Sequence, residues 1–178
     1  IYTLSKGISW ITFQNECAAI RIDDQLCKQG KGITLYSSFK QNLKGDKIYT
    51  VFEDSEGDEW ILTNKGISII GKKQVDSDFP FQYIKEADGI IYLVSQSDKL
   101  ASYNFKTRQF KFIEIPYHVS MINEVKKFDS NTLLLATDNG LIIYKIKEKE
   151  FQLIDIRTST QPSNVVQSVY QDHYKELW

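Results

Sequence analysis

Residues 51–67 read VFEDSEGDEWILTNKGI, and this stretch decides the fold. Apolar residues flank an acidic turn on both sides, the pattern of two short strands joined by a hairpin. Asp54 stands three residues before Gly57 and six before Trp60. A carboxylate there can accept backbone N–H bonds and hold the turn, while Gly57 can supply a positive φ. Trp60 opens the next strand with a ring able to bury about 150–250 Å2 between sheets. Thr63 ends that strand, where its hydroxyl can bond into the following turn, and Gly66 can again take a positive φ.

The same lettering recurs. Residues 166–178, VQSVYQDHYKELW, lie over residues 48–60, IYTVFEDSEGDEW, with Val169 on Val51, Tyr170 on Phe52, Asp172 on Asp54 and Trp178 on Trp60. Residues 134–144, LLATDNGLIIY, lie over 60–70, WILTNKGISII, with Thr137 on Thr63 and Gly140 on Gly66. At the chain start, IYTL (1–4) matches IYTV (48–51), and WITFQNECAAI (10–20) puts Trp10 on Trp60. A weaker copy, IIYLVSQSDKLASY, occupies 90–103. Trp10 and Trp178 are 168 residues apart, four repeats with a mean period of 42. Units of that length with four short strands each are the signature of β-propeller blades.

The expected fold is therefore all-β: a single partial β-propeller over 1–178, of about four and a half repeats. Each blade is a four-stranded antiparallel sheet, with units at 1–46, 47–81, 82–118, 119–164 and a truncated 165–178. In the second unit the fourth strand is expected at KKQVD, 72–76. No longer window sustains a helical period, so almost no helix is expected.

Composition agrees. Ten Tyr, ten Phe and three Trp suit pleated, half-buried surfaces. Twenty-two Lys and Arg against 23 Asp and Glu leave a net charge of −1, without the basic excess of a nucleic-acid binder. Hydrophobic residues at 42% exclude intrinsic disorder. No apolar run approaches the ~18 residues of a membrane span. The chain begins at Ile1 inside an expected strand and stops abruptly at Trp178, so it reads as a piece of something longer. Cys17 and Cys27 could bridge adjacent strands in an oxidising compartment, or stay as one buried and one loop thiol. With no CxxC pair and two His in all, no metal site or cofactor is expected.

Catalytic signals are lacking. Glu53, Asp54, Glu56, Asp58 and Glu59 crowd one hairpin and read as a solvated turn around one structural Asp. His118 and His173 have no nucleophile or carboxylate partner nearby in sequence, and no P-loop, GxGxxG or HExxH occurs. No catalytic residue is assigned, and the chain reads as a binder rather than an enzyme. In a propeller, the connections between blades and the turns between middle strands share one face, where ligands are commonly held. Here these are 74–82, 114–120 and 156–164, with the turns TNKG and TDNG. Candidate ligand-binding residues are Asn64, Phe81, Tyr117, His118, Asp138 and Asn139. Aromatic rings would meet the apolar C–H face of a sugar, and the polar groups its hydroxyls. The competing reading packs Phe79 and Phe81 under the blade rim.

VFEDSEGDEWILTNKGI also resembles the two-component regulator propeller repeat, keeping its hydrophobic, Asp, Gly, Trp, Thr and Gly positions. The resemblance extends over four units and half of a fifth: close in two, fair in the first, poor in the third. It departs at Leu62, where the family usually has Gly, and at Tyr174–Lys175, where the turn Gly is lost. It implies the periplasmic sensor region of a hybrid two-component system, of a kind many gut Bacteroides carry. Such a region would recognise an oligosaccharide and signal to a histidine kinase outside this chain. Unpaired blade edges imply self-association or dimerisation. The alternatives are a propeller glycoside hydrolase or polysaccharide lyase, and a protein-interaction scaffold. A sialidase-type Asp box, with Asp two residues before Gly, does not fit the Asp54–Gly57 spacing.

Overall fold

A computed structural model of the chain describes all residues except 14–17, 38–42, 46, 72–74, 76, 88, 96, 105–106, 108 and 175. The chain packs as two compact units, Ile1–Gln82 and Tyr83–Trp178. In the first unit, β1 (Tyr2–Thr3), β2 (Ile8–Thr12), β3 (Ala18–Asp23) and β4 (Ile33–Ser37) form one four-stranded sheet in chain order. A one-turn helix, α1 (Asp24–Cys27), links β3 to β4; the Asp23 carboxylate caps it by accepting from Gln25 and Leu26 N–H, each at 3.1 Å. The next sheet consists of β5 (Ile48–Glu53), β6 (Glu59–Thr63) and β7 (Gly66–Ile70). The strand expected at 72–76 falls mostly outside the described residues, as does Cys17 of the suggested Cys17–Cys27 bridge. Ser77 O nevertheless accepts from Ile67 N at 3.0 Å, so chain does return beside β7.

The second unit repeats the plan. One sheet is β8 (Tyr83–Ala87), β9 (Ile90–Val94), β10 (Leu100–Asn104) and β11 (Gln109–Ile113). The other is β12 (Ile122–Lys127), β13 (Thr132–Thr137), β14 (Gly140–Lys145) and β15 (Glu150–Ile154). All pairings are antiparallel meanders, each strand beside its predecessor. A further hairpin closes the chain, with Tyr170 and Trp178 exchanging backbone bonds at 2.9 and 2.8 Å.

Sheets pack face to face within each unit. Trp10 and Ala19 of the first sheet meet Val51 and Ile61 of the second, with Leu43 of the β4–β5 connection in the same cluster. Tyr92, Val94 and Leu100 meet Leu133, Leu135 and Ile142, while Leu134 and Ala136 face the other way onto Val169. Every residue of β6 and of β13 is buried, because each has a strand on either side and apolar matter on both faces. This is why EWILT and TLLLAT read as nearly unbroken apolar runs. Each fully buried Leu there contributes about 1.5–3 kcal/mol of transfer free energy.

The motif residues do what their spacing suggests. Asp54 Oδ1 accepts from Glu56 N at 2.9 Å and Asp58 N at 3.1 Å, and Oδ2 from the Trp60 indole at 2.8 Å. Asp172 repeats all three, accepting from Tyr174 N, Glu176 N and the Trp178 indole. Thr63 and Thr137 each donate to the Gly three residues on, at 2.8 and 2.7 Å. Gly57, Gly66 and Gly140 all have positive φ, as the turns require.

The chain start needs one correction. Tyr2 lies opposite Trp10 just as Phe52 lies opposite Trp60, so IYTL is displaced by three residues from its apparent match to IYTV. The hairpin count, not the shared letters, sets the register. Leu4 thereby takes the place of Asp54: its N–H bonds Ile8 O at 2.8 Å as Asp54 N bonds Asp58 O at 3.1 Å. With no carboxylate at that place, the Trp10 indole donates instead to Glu59 of the next blade, at 2.6 Å. Arg21 clamps the same carboxylate from Nε at 3.0 Å and from its terminal nitrogen at 2.6 Å. The bond to Glu59 holds the Arg21 guanidinium above its ordinary pKa, against the opposing effect of burial.

Candidate functional site

Both inner strands β5 and β12 carry a bulge, between Ile48 and Thr50 and between Ile122 and Glu124. A bulge leaves its extra residue outside the ladder. The preceding blade uses the carbonyl so released: Tyr2 OH donates to Tyr49 O at 2.9 Å, and Tyr83 OH to Asn123 O at 2.5 Å. Burial raises the Tyr83 phenol above its ordinary pKa, and the Glu124 carboxylate adds to it, so the hydroxyl stays protonated as a donor. Asn123 and Glu124 then reach the next segment, through Val166 O at 2.8 Å and Val169 N at 2.8 Å. Inner strands are thus tied blade to blade inside each unit.

In the second unit three connections meet at one end of the β12–β15 sheet. Asp138 N donates to Met121 O at 3.1 Å, and the Asp138 carboxylate accepts from Ser120 N at 3.1 Å. Asn139 Nδ2 donates to His118 O at 3.0 Å. Asn164 Nδ2 donates to Asn139 Oδ1 at 3.0 Å, and its own Oδ1 accepts from Ile156 N at 2.9 Å. Segments 114–120, 138–139 and 156–164 are therefore stitched into one rim. Asn164 is nearly buried and bridges two of the three. The sequence placed it at the end of an expected loop without marking it; its only signal was an Asn ending a polar connection.

Of the candidates, His118, Asp138 and Asn139 come together on this rim. The His118 ring is exposed and has no hydrogen-bond partner among the described residues. Tyr117 turns the other way: half-buried, it packs on the core of its unit and donates to Phe151 O at 3.1 Å. Beside the rim, Asp155 accepts two bonds from Arg157 Nε, at 2.9 and 3.0 Å, and one from Arg157 N at 2.9 Å. These bonds pull the Asp155 pKa down to about 2.

Asn64 and Phe81 belong to the first unit. Asn64 N donates to Lys47 O at 3.0 Å and its Oδ1 accepts from Lys47 N at 3.1 Å, the counterpart of the Asp138 contacts. Gly45 lets these strands approach: a Cβ there would lie 2.4 Å from Asn64 Oδ1. Phe81 is 1% exposed, its ring 4.7 Å from that of Phe79, so its ring is buried and not offered to solvent. Among the described residues no group of three His, Cys, Asp or Glu could hold a metal, and no helix is long and apolar enough to cross a membrane.

No family model matches the chain, and no curated protein matches it. Solved structures do. The extracellular domain of the candidate one-component system BT4673 from B. thetaiotaomicron superposes with a TM-score of 0.74 at 19% identity, over 99% of this chain and 25% of that one. That of the candidate hybrid two-component system BT3049, from the same organism, gives 0.71 at 19% identity, over 99% and 24%. Virginiamycin B lyase from Staphylococcus aureus gives 0.72 at 17% identity, over 99% and 60%. The fold is a β-propeller. The chain forms four of its blades and the opening hairpin of a fifth. It spans about a quarter of the length of the sensor domains, which are of the kind that residues 51–67 resemble.

Proposed function

We propose that this chain is a non-catalytic, ligand-reading part of a two-component sensor on the periplasmic side of a membrane. It recognises an oligosaccharide and passes the event to a histidine kinase elsewhere in the protein. The observation that carries this reading is a propeller fold shared along nearly the whole chain with extracellular sensor domains, joined to the repeat that such sensors carry. The rim supports it. His118, Asp138 and Asn139 offer an exposed ring and polar groups on a hydrogen-bonded frame, and a rigid frame lowers the ordering cost of binding. Signalling then requires the ligand to bind two arrangements of the sensor unequally. Association of two copies through blade edges belongs to the same reading. Ile33 and Leu35 lie exposed on β4, and sedimentation that does not change with concentration would remove it.

A thermal-shift screen against oligosaccharides tests the proposal. A ligand at a hundredfold its Kd stabilises by about 2.7 kcal/mol, which for a chain of this size raises Tm by roughly 5–10 °C. His118→Ala with Asn139→Ala should abolish the shift. No shift across the screen would defeat the reading. A second reading rests on virginiamycin B lyase, which has a similar TM-score; a histidine-to-alanine variant of that enzyme is catalytically inactive and was captured with quinupristin. Product formation from any hit, lost in His118→Ala or His173→Ala, would favour that reading over a sensor.

A further inference from the structure

Asn139 is the only asparagine in the chain that is followed by glycine. That dipeptide can rearrange without an enzyme. The Gly140 backbone nitrogen, its proton drawn off by a base in solution, attacks Asn139 Cγ. A C–N bond forms, and the Cγ–Nδ2 bond breaks with release of ammonia. Water then opens the cyclic imide to aspartate or isoaspartate. Glycine has no side chain to shield the attacking nitrogen.

The rim pins this amide at both ends. Asn139 Nδ2 donates to His118 O at 3.0 Å, and Asn139 Oδ1 accepts from Asn164 Nδ2 at 3.0 Å. Asn164 Oδ1 accepts in turn from Ile156 N at 2.9 Å. The orientation of both amides is forced, because a carbonyl oxygen can only accept and a backbone N–H can only donate. Asn139 N donates to Thr137 Oγ1 at 3.1 Å. Gly140 is buried, and a Cβ there would lie 2.6 Å from Ile154 O. The turn itself does not call for asparagine. Lys65 holds the same place in TNKG, where its N–H bonds Thr63 Oγ1 at 3.2 Å. What sets Asn139 apart is its pair of side-chain ties.

We infer that Asn139–Gly140 is a deamidation site held shut by the rim, with Asn164 as the residue that holds it. Attack requires Cγ to swing towards the Gly140 nitrogen, which breaks the side-chain bonds. Opening of the 156–164 connection removes one of them and admits a reaction that does not reverse. The aspartate product changes the rim in one direction. A carboxylate at 139 still accepts from Asn164, but it has no hydrogen for His118 O and stands beside the Asp138 carboxylate. The tie to 114–120 is lost and the tie to 156–164 is kept. This follows from the rim's hydrogen bonds and holds whether or not the rim binds a saccharide.

The test is peptide mapping by mass spectrometry of the 178-residue chain during incubation at mildly alkaline pH. Asn139 should deamidate about tenfold or more slowly in the folded chain than in guanidinium chloride, since its ties must break first. Asn164→Asp keeps the acceptor for Ile156 N and removes the donor to Asn139, so it should speed the folded reaction about fivefold or more while circular dichroism stays that of the parent. Asn139→Asp reproduces the product. Its Ser120 amide, bonded to Asp138, should exchange with deuterium faster than in the parent, while the Ile156 amide keeps the parent rate. Asn139→Lys, the residue of the other turn, should also free Ser120 and leave the fold intact. Equal deamidation in the folded and denatured chain would overturn the inference. So would a folded rate unchanged in Asn164→Asp, or Ser120 exchange unchanged in Asn139→Asp.

Discussion

Asp54 and Asp172 hold the same hairpin in different surroundings. Each accepts two backbone N–H bonds and one indole N–H, but Asp54 is buried and Asp172 is not. Asp54→Ala leaves three donors short of partners in a dry site and should cost about 2–4 kcal/mol, whereas Asp172→Ala should cost under about 1 kcal/mol. Urea unfolding of the two variants gives the comparison. The tryptophans follow the same logic: Trp60 is 0% exposed and Trp178 is 74% exposed. Trp60→Ala should lose about 3–5 kcal/mol and Trp178→Ala should stay within about 0.5 kcal/mol. Glu59 is more demanding, since Glu59→Gln removes the buried charge facing Arg21 and leaves one acceptor oxygen for the Arg21 and Trp10 donors, with only the longer Asp23 pair, at 3.7 Å, left to Arg21; it should cost about 2–3 kcal/mol. Asp155 tests pH dependence at an exposed position. Its folded pKa, about 2, lies below the ordinary carboxylate value, so the Arg157 contact contributes fully above about pH 4 and fades as pH falls towards 2. Carboxyl NMR should place the Asp155 midpoint near 2 in the parent chain and move it up in Arg157→Gln, while the bond from the backbone N–H of residue 157 still holds it below the ordinary carboxylate value.

At the scale of the element, the recurring unit is a meander whose second strand is buried on both faces. Thr63 and Thr137 end that strand in the same way, so Thr63→Val and Thr137→Val should destabilise by similar amounts, about 1–2 kcal/mol each. Unequal losses in urea would mean the two turns are not equivalent. The Asp, Gly, Trp and Thr devices were legible in the sequence because each closes on itself within six residues; spacing alone discloses such contacts. The inter-blade ties were not. Tyr2 with Tyr49, Tyr83 with Asn123, and Arg21 with Glu59 join residues 38 to 47 apart in sequence, and two of the three depend on a bulge. A bulge is one extra residue in a strand and leaves no mark on its composition. The candidate site was legible to the same degree. Asp138 and Asn139 follow from the turn motif, whereas the direction of Tyr117 and the burial of Phe81 depend on what packs over them. Tyr83→Phe should remove about 0.5–1.5 kcal/mol without altering its own sheet, a loss that thermal unfolding can read.

For the molecule as a whole, the repeat determines where stability lies. Residues of β6 and β13 have a strand on each side and are buried throughout, while β11 and β15 are outermost in their sheets and largely exposed or half-buried. The rim depends on this frame, since it is built from connections that the middle strands hold in place. Amide hydrogen exchange measured residue by residue tests the frame directly. The interior amides of β6 and β13 should exchange only through global unfolding, and those of β11 and β15 should exchange orders of magnitude faster. Rapid exchange in β6 or β13, or slowest exchange in the outer strands, would contradict the blade architecture.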